Sequence, residues 1–176
     1  QTCILRFATA HGLSPRMRFD LLVQEFLRDA LVDKKISIFG EDFWRPLIHV
    51  DDMANACISV VDASSNIISG QIFNVGGSNE NYTKKQLASI IQKHISDIKI
   101  EIVKSKTDPR NYKVSFDKIN RILNFHSKKT VENSVVEILS KIEDGTVDPR
   151  QSEFSNMSKL TTEIDALTNY QFDENL

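Results

Sequence analysis

Two arginines are the residues best suited to binding an anion. Arg45 lies between Trp44 and Pro46, where an unstructured loop would not be expected to fix it, and Arg110 follows an Asp-Pro pair. A guanidinium is permanently charged and offers two parallel N–H donors, so it matches the paired oxygens of a phosphate. Two such groups would form one clamp if the fold brings them together. The alternative is that both are surface arginines, paired with Asp42 and Asp108.

The remaining polar residues favour structural roles. His49 lies in an apolar run, so we expect it to make a structural hydrogen bond. Asp51 or Asp52 is placed to cap the helix that follows. The four histidines are scattered, and no pair has metal-ligand spacing with a carboxylate or cysteine. Cys3 and Cys57 are interpreted as small buried residues in a reducing compartment.

Strand and helix patterns alternate along the chain, which predicts an α/β fold. The apolar periodicity predicts strands near residues 3–7, 36–38, 47–50, 71–75 and 98–102. It predicts helices near residues 19–32, 53–63, 83–95, 117–123 and 131–142. Thr83 or Asn81 would cap the third of these helices. Thr130 would be a simple cap of the last helix, without the reciprocal glutamate of a capping box.

Composition places most of the chain in one folded unit. The chain has 176 residues, of which 40% are hydrophobic and 26% charged, with a net charge of -2. Residues 1–150 are predicted to form the folded part and residues 151–176 a polar tail. The charge balance argues against a nucleic-acid or anionic-membrane partner, and no apolar run approaches the ~20 residues of a membrane span.

Residues 36–52 resemble a segment of the extended short-chain dehydrogenase/reductases, the nucleotide-sugar epimerases and dehydratases. Their Arg-x-(aromatic or aliphatic)-Ile-His-Val-x-Asp motif follows a strand ending in glycine, and this chain has Arg-Pro-Leu-Ile-His-Val-Asp-Asp from Arg45 to Asp52, after Gly40. The resemblance covers residues 3–144. It implies the C-terminal part of a Rossmann-type fold, with the last sheet strands and a smaller α/β substrate-binding lobe. It also implies that Arg45 grips the diphosphate of a sugar nucleotide, with Arg110 as a second contact from an Asp-x-Arg segment.

The resemblance extends to further substrate contacts. Gln24 stands where family members place an amide near the substrate, and the base pocket is expected near Leu22 and Ile38. Arg16 would reach a phosphate or an acidic sugar; equally, Arg16 and Gln24 fit solvated helix residues. The loop of residues 9–18 is similar to the family's Tyr-Gly-Pro loop, but His11 replaces the tyrosine, so cofactor contact from this loop stays open.

The activity implied by the resemblance needs NAD, which takes a hydride from the sugar, and a Tyr-x-x-x-Lys pair that moves the proton. This sequence has neither that pair nor a glycine-rich dinucleotide turn, and it begins directly in strand-like sequence. We therefore expect a C-terminal portion of a longer cytoplasmic enzyme, with no catalytic residue of its own and with NAD bound mainly by the missing N-terminal half. The base, the sugar, NAD against NADP and the oligomeric state stay open, with a homodimer as the family's usual form.

Two alternatives to this interpretation remain. One is a non-catalytic binding module from a degenerate family member. The other is a reductase that acts on a non-nucleotide substrate.

Overall fold

The computed structural model describes residues 2–104 and 110–151. Apart from Gln151, the predicted tail lies outside the described residues, and so does Asp108. The strands are β1 (Ile4–Phe7), β2 (Thr9–His11), β3 (Lys35–Phe39), β4 (Trp44–His49), β5 (Ile72–Val75), β6 (Asn81–Thr83) and β7 (Lys99–Val103). The helices are α1 (Leu22–Val32), α2 (Val50–Val61), α3 (Ser65–Ile68), α4 (Lys84–His94), α5 (Asp117–Leu123) and α6 (Val131–Glu143).

The described strands pair mainly in parallel. β1 pairs with β5, β2 with β4 and β3 with β7, all in parallel, while β6 pairs antiparallel with β4. β4 is therefore the central strand of a three-stranded sheet. Parallel strands joined through helices define an α/β fold, so the predicted fold class is confirmed.

Two hydrophobic clusters lie on either side of β4. Leu47 belongs to the larger cluster, which α1, α4 and α6 close over β3. Ile48, the next residue, belongs to a smaller cluster with Phe73 and Phe116. Successive side chains of a strand point to opposite faces, so β4 contributes to both clusters at once.

Two short strands were missed by the sequence analysis. β2 falls in the segment predicted as a loop, and β6 falls where a helix was predicted to begin. Each has three residues, too few for an alternating pattern to be recognised. The helix predicted from Phe19 begins at Leu22, and Cys57, predicted to be buried, is exposed.

The helix caps differ from the predictions at two places. α2 is capped by His49, whose Nδ1 accepts a hydrogen bond from Asp51 N at 3.1 Å, so the predicted aspartate cap is wrong. Thr130 forms a full capping box, because the Asn133 side chain accepts from Thr130 N at 2.8 Å, so the predicted simple cap is wrong. Thr83 caps α4 as predicted, in a box with Gln86.

Within residues 2–104 and 110–151, none of the helices has the length and apolar character that crossing a membrane requires.

Candidate functional site

Arg45 and Arg110 line the same cleft, although they lie 65 residues apart in the sequence. The cleft has a volume of about 250 Å³. Its walls come from β2, β4, the segment before and within α1, the start of α4 and the segment that begins at residue 110. The lining residues are Thr9, Asp20, Leu21, Leu22, Glu25, Arg45, Lys84 and Arg110.

Arg45 is held in a fixed orientation. It is the second residue of β4 and is only 6% exposed. Its Nη1 donates to the carbonyl oxygen of Trp44 at 2.9 Å and also to the carbonyl oxygen of Arg110. These hydrogen bonds tie the guanidinium to both sides of the cleft, so its position is set before any ligand arrives.

The segment that carries Arg110 is fastened to β4 and β6 by side-chain amides. Asn111 Oδ1 accepts a hydrogen bond from Trp44 N at 2.9 Å. Asn81 of β6 contacts the backbone of Val114 twice: its Oδ1 accepts from Val114 N at 3.0 Å, and its Nδ2 donates to Val114 O at 3.2 Å. The segment has no regular structure, and these side-chain amides supply hydrogen bonds of the kind that a neighbouring strand would otherwise make to its backbone.

Among the described residues that line it, the cleft has three cationic and two acidic side chains. Lys84 is 7% exposed, and its Nζ donates to the carbonyl oxygen of Phe39 at 2.8 Å. Asp20 accepts two hydrogen bonds from Arg18, at 2.6 and 2.8 Å. Burial, reinforced by the charge of Asp29, raises the pKa of Glu25, while the charges of Arg28 and Lys84 act against that rise. The described cationic side chains of the lining therefore outnumber its described carboxylates by one.

A second cleft of about 200 Å³ adjoins the first, because Thr9 lines both. Its other lining residues are Arg6, Phe7, Ala8, Pro46, Asn74, Tyr112, Val114 and Phe116. Tyr112 belongs to the same fastened segment as Arg110, so the two clefts share two walls.

The other sequence-predicted substrate residues divide into three groups. Leu22 lines the first cleft. Gln24 and Ile38 are buried, at 3% and 0% exposure, and Ile38 belongs to the hydrophobic core instead of a pocket wall. Gln24 is therefore not the solvated helix residue considered as its alternative, although it does not line the cleft either. Arg16 is exposed and is not among the lining residues.

Sequence reasoning missed Lys84, Glu25, Asp20 and Thr9 as lining residues. For Lys84 a signal existed, because it directly follows the capping residue Thr83. The first turn of a helix favours acidic residues, and a lysine pair at that position departs from the rule. For Glu25, Asp20 and Thr9, no local sequence pattern indicates that the side chain lines the cleft.

His11 and His49 lie in a buried polar network apart from the cleft. His49 Nδ1 accepts from Asp51 N, so its Nε2 carries the proton and donates to Glu137 Oε2 at 3.2 Å. His11 Nδ1 and Ser134 Oγ share a hydrogen bond of 2.7 Å. Burial, with a smaller contribution from His49, lowers the pKa of His11 to about 3. The predicted structural role of His49 is confirmed, and the fully buried His11 ring has no surface for a cofactor.

The glycines after β5 do not form a phosphate cradle. A Cβ at Gly76 would collide with the ring of Phe116, and one at Gly77 would collide with Glu80 and Ser127. These glycines allow close packing between β5 and the segments after it. The described residues therefore do not fit the pyrophosphate of a dinucleotide at this turn. They also contain no group of three or more His, Cys, Asp or Glu side chains arranged to hold a metal ion.

Residues 1–76 match the family model of the NAD dependent epimerase/dehydratase family. The predicted resemblance to this family is confirmed. The matched residues include β1 to β4 and Arg45, and they end at Gly76, directly after β5.

Solved structures of epimerases share the fold. UDP-glucuronic acid 4-epimerase from Bacillus cereus, in complex with UDP-glucuronic acid and NAD, is 23% identical with a TM-score of 0.68; the match covers 81% of this chain and 45% of that one. ADP-L-glycero-D-manno-heptose-6-epimerase from Helicobacter pylori is 20% identical with a TM-score of 0.65, over 79% and 43% of the two chains. UDP-glucose 4-epimerase from Thermotoga maritima is 19% identical with a TM-score of 0.65, over 81% and 46%.

These likenesses show that the chain shares the α/β fold of these epimerases, in agreement with the predicted fold class. This chain spans a little under half the length of the epimerases it matches.

Proposed function

We propose that this chain is the substrate-binding portion of an NAD-dependent nucleotide-sugar epimerase or dehydratase, in which Arg45 and Arg110 hold the diphosphate of the sugar nucleotide. The observation that carries the proposal is their position on one cleft. Two guanidinium forks from distant segments meet there, one fixed by its own hydrogen bonds and the other on a fastened segment. Forked donors of this kind bind paired phosphate oxygens strongly.

The size and charge of the site support the same ligand class. A diphosphate diester carries two negative charges, and the described lining of the first cleft has three cationic side chains against two acidic ones. Thr9 lines both clefts, and we propose that the sugar of a bound nucleotide lies near Thr9. Leu21 and Leu22 give the first cleft an apolar wall on which a base or ribose can pack.

We propose that residues 1–150 form this binding portion and that the redox machinery lies on polypeptide outside this sequence. When bound, NAD supplies hydride transfer. The 176 residues contain neither a glycine-rich dinucleotide turn nor a Tyr-x-x-x-Lys pair. The task of this chain is to bind and orient the sugar nucleotide, and by itself it should catalyse no oxidation.

Isothermal titration calorimetry with UDP-, ADP- and GDP-linked sugars tests the clamp. We expect the chain to bind at least one of them. Arg110→Ala should weaken binding about tenfold or more, because a lost charged hydrogen bond costs roughly 1.5–3 kcal/mol. Arg45→Lys should also weaken it, because an ammonium keeps the charge but not the fork. Arg121→Ala, at an exposed position on α5, is the control and should leave affinity unchanged.

Two results would overturn the proposal. One is that no sugar nucleotide of the panel binds. The other is that Arg110→Ala and Arg45→Lys, both folded by circular dichroism, bind as tightly as the unmodified chain. Turnover of a sugar nucleotide by this chain with added NAD would contradict the placement of the redox machinery elsewhere.

A further inference from the structure

Tyr112 is an exposed aromatic residue on the wall of the second cleft. It lines that cleft together with Thr9, and it is 47% exposed. Burying a tyrosine ring stabilises a fold more than leaving the ring in water does. Single exposed aromatic residues are common on protein surfaces, so exposure alone assigns no role to Tyr112. The way in which its neighbours are held gives the further evidence.

The backbone on both sides of Tyr112 is held in place. Before it, Asn111 Oδ1 accepts a hydrogen bond from Trp44 N at 2.9 Å. After it, Lys113 Nζ lies 3.4 Å from the centroid of the Trp44 ring, and both polar backbone groups of Val114 are hydrogen-bonded. A contact made from a fixed position costs little conformational entropy, and a tyrosine has only two side-chain torsions to order. Tyr112 is therefore already positioned for a ligand.

The lining of the second cleft suits a sugar. Among its described lining residues, Arg6 is cationic and none is a carboxylate, while Thr9 carries a hydroxyl and Asn74 an amide. The apolar lining residues are Phe7, Ala8, Pro46, Val114 and Phe116. A sugar ring has an apolar C–H face and a rim of hydroxyls, so a mainly apolar cleft with a few polar groups matches both parts. The electron-rich face of an aromatic ring is a suitable partner for the C–H face.

Tyr112 also has a short, fixed spacing from the first cleft. It lies two residues after Arg110, which lines that cleft. Two residues of extended chain span at most about 7 Å, comparable with the separation between a phosphate and the sugar attached to it. The carbonyl oxygen of Arg110 accepts a hydrogen bond from Arg45. One short segment can therefore contact neighbouring parts of a single ligand.

We propose that Tyr112 determines specificity for the sugar part of the ligand, by packing its ring against the sugar of a bound sugar nucleotide. The inference rests on the proposed function and adds a residue outside the pair of arginines that the resemblance supplies. The arginines contact the diphosphate, which a sugar nucleotide shares with the free nucleoside diphosphate. Tyr112 contacts only the part that the sugar nucleotide has in addition.

Calorimetry with matched ligand pairs tests this role: UDP-glucose against UDP, ADP-glucose against ADP and GDP-mannose against GDP. For the pair that binds, Tyr112→Ala should weaken the sugar nucleotide about fivefold or more relative to its nucleoside diphosphate, because the ring that packs on the sugar is lost. Tyr112→Phe keeps the ring and should keep most of that ratio. Val136→Ala, at a 50% exposed position on α6, is the control and should leave both affinities unchanged.

The outcomes separate this inference from the proposed function. If the unmodified chain binds none of the sugar nucleotides, the proposed function falls, and this inference falls with it. If a sugar nucleotide binds and Tyr112→Ala changes both affinities of its pair equally, or changes neither, the role of Tyr112 is overturned while the arginine clamp stands.

NMR keeps the inference testable if Tyr112→Ala does not fold. The chain has three tyrosines, so the ring resonances of Tyr112 can be assigned by comparison with Tyr112→Phe. In the unmodified chain they should shift more on titration with the sugar nucleotide than with its nucleoside diphosphate. Equal shifts with the two ligands would overturn the role.

Discussion

His11 and His49 lie edge to face in the interior, with ring centroids 5.5 Å apart. His11 is fully buried, and its Nε2 has no hydrogen-bond partner among the described residues. Protonating that nitrogen would bury a positive charge beside another imidazole. The structure therefore keeps His11 neutral, which couples the stability of the fold to pH.

Acid should destabilise the protein through His11. Its pKa is about 3 in the folded state against 6.5 in the unfolded chain, so this contribution is complete above pH 6.5 and is lost as pH falls towards 3. At pH 5 the loss should reach about 2 kcal/mol. Urea unfolding between pH 7.5 and 5.0 measures it, and His11→Asn should flatten the slope.

Glu80 has the opposite effect on the pH dependence of stability. The contribution of His11 must therefore be measured as the difference between the unmodified protein and His11→Asn. Burial raises the pKa of Glu80 in the folded state, so protonation of this carboxyl as pH falls favours folding. Its Oε2 lies 4.0 Å from His11 Nε2. If the unmodified protein and His11→Asn lose stability equally between pH 7.5 and 5.0, the acid sensitivity has another source.

At the scale of elements, the cleft depends on irregular backbone held by distant side chains. The segment from residue 110 to 114 has no helix or strand, yet Asn81 and Asn111 fasten it to β6 and β4. These amides act together with the hydrogen bond from Arg45 Nη1 to the carbonyl oxygen of Arg110 to place Arg110 beside Arg45. Binding should therefore respond to a substitution that touches neither arginine.

Asn81→Ala should weaken sugar-nucleotide binding about threefold to tenfold, because it removes two hydrogen bonds worth roughly 0.5–1.5 kcal/mol each from the segment that carries Arg110. Calorimetry measures the affinity, and circular dichroism checks that the variant stays folded. Asn55→Ala, at an exposed position on α2, is the control. Equal affinities for Asn81→Ala and the unmodified chain would show that the segment holds its place by other means.

The elements that sequence predicts well are those with a long local pattern. The helices that pack on the larger cluster and the five longer strands follow from apolar spacing alone. The three-residue strands do not, because their pairing with β4 is decided by tertiary contacts. The same holds for Lys84 and Asn81, whose partners Phe39 and Val114 lie 45 and 33 residues away. Arg45 and Arg110 could be proposed as a pair only through a resemblance, since their spacing contains no geometric information.

At the scale of the whole molecule, one strand links two hydrophobic clusters. Leu47 and Ile48 are both fully buried, in different clusters. Because both clusters use the same strand, disrupting one should disturb the packing of the other. We therefore expect the described part of the chain to unfold as one cooperative unit.

Matched isoleucine substitutions test this cooperativity. Ile91→Ala in the larger cluster and Ile119→Ala in the smaller one should each lower the free energy of unfolding by about 2–5 kcal/mol, because both side chains are fully buried. Ile72→Ala, at a 37% exposed position, should cost less. All three should show a single transition by both circular dichroism and tryptophan fluorescence. Two separate transitions in either core variant would mean that the clusters unfold independently.

β4 also joins the cleft to the buried histidines, since Arg45 lies near its start and His49 at its end, about 13 Å apart at ~3.3 Å per residue. A ligand that immobilises the Arg45 guanidinium also restrains β4, and the last residue of β4, His49, caps α2. Occupancy of the cleft should thus slow hydrogen–deuterium exchange at the amides of the opening turn of α2, a region that the ligand never touches.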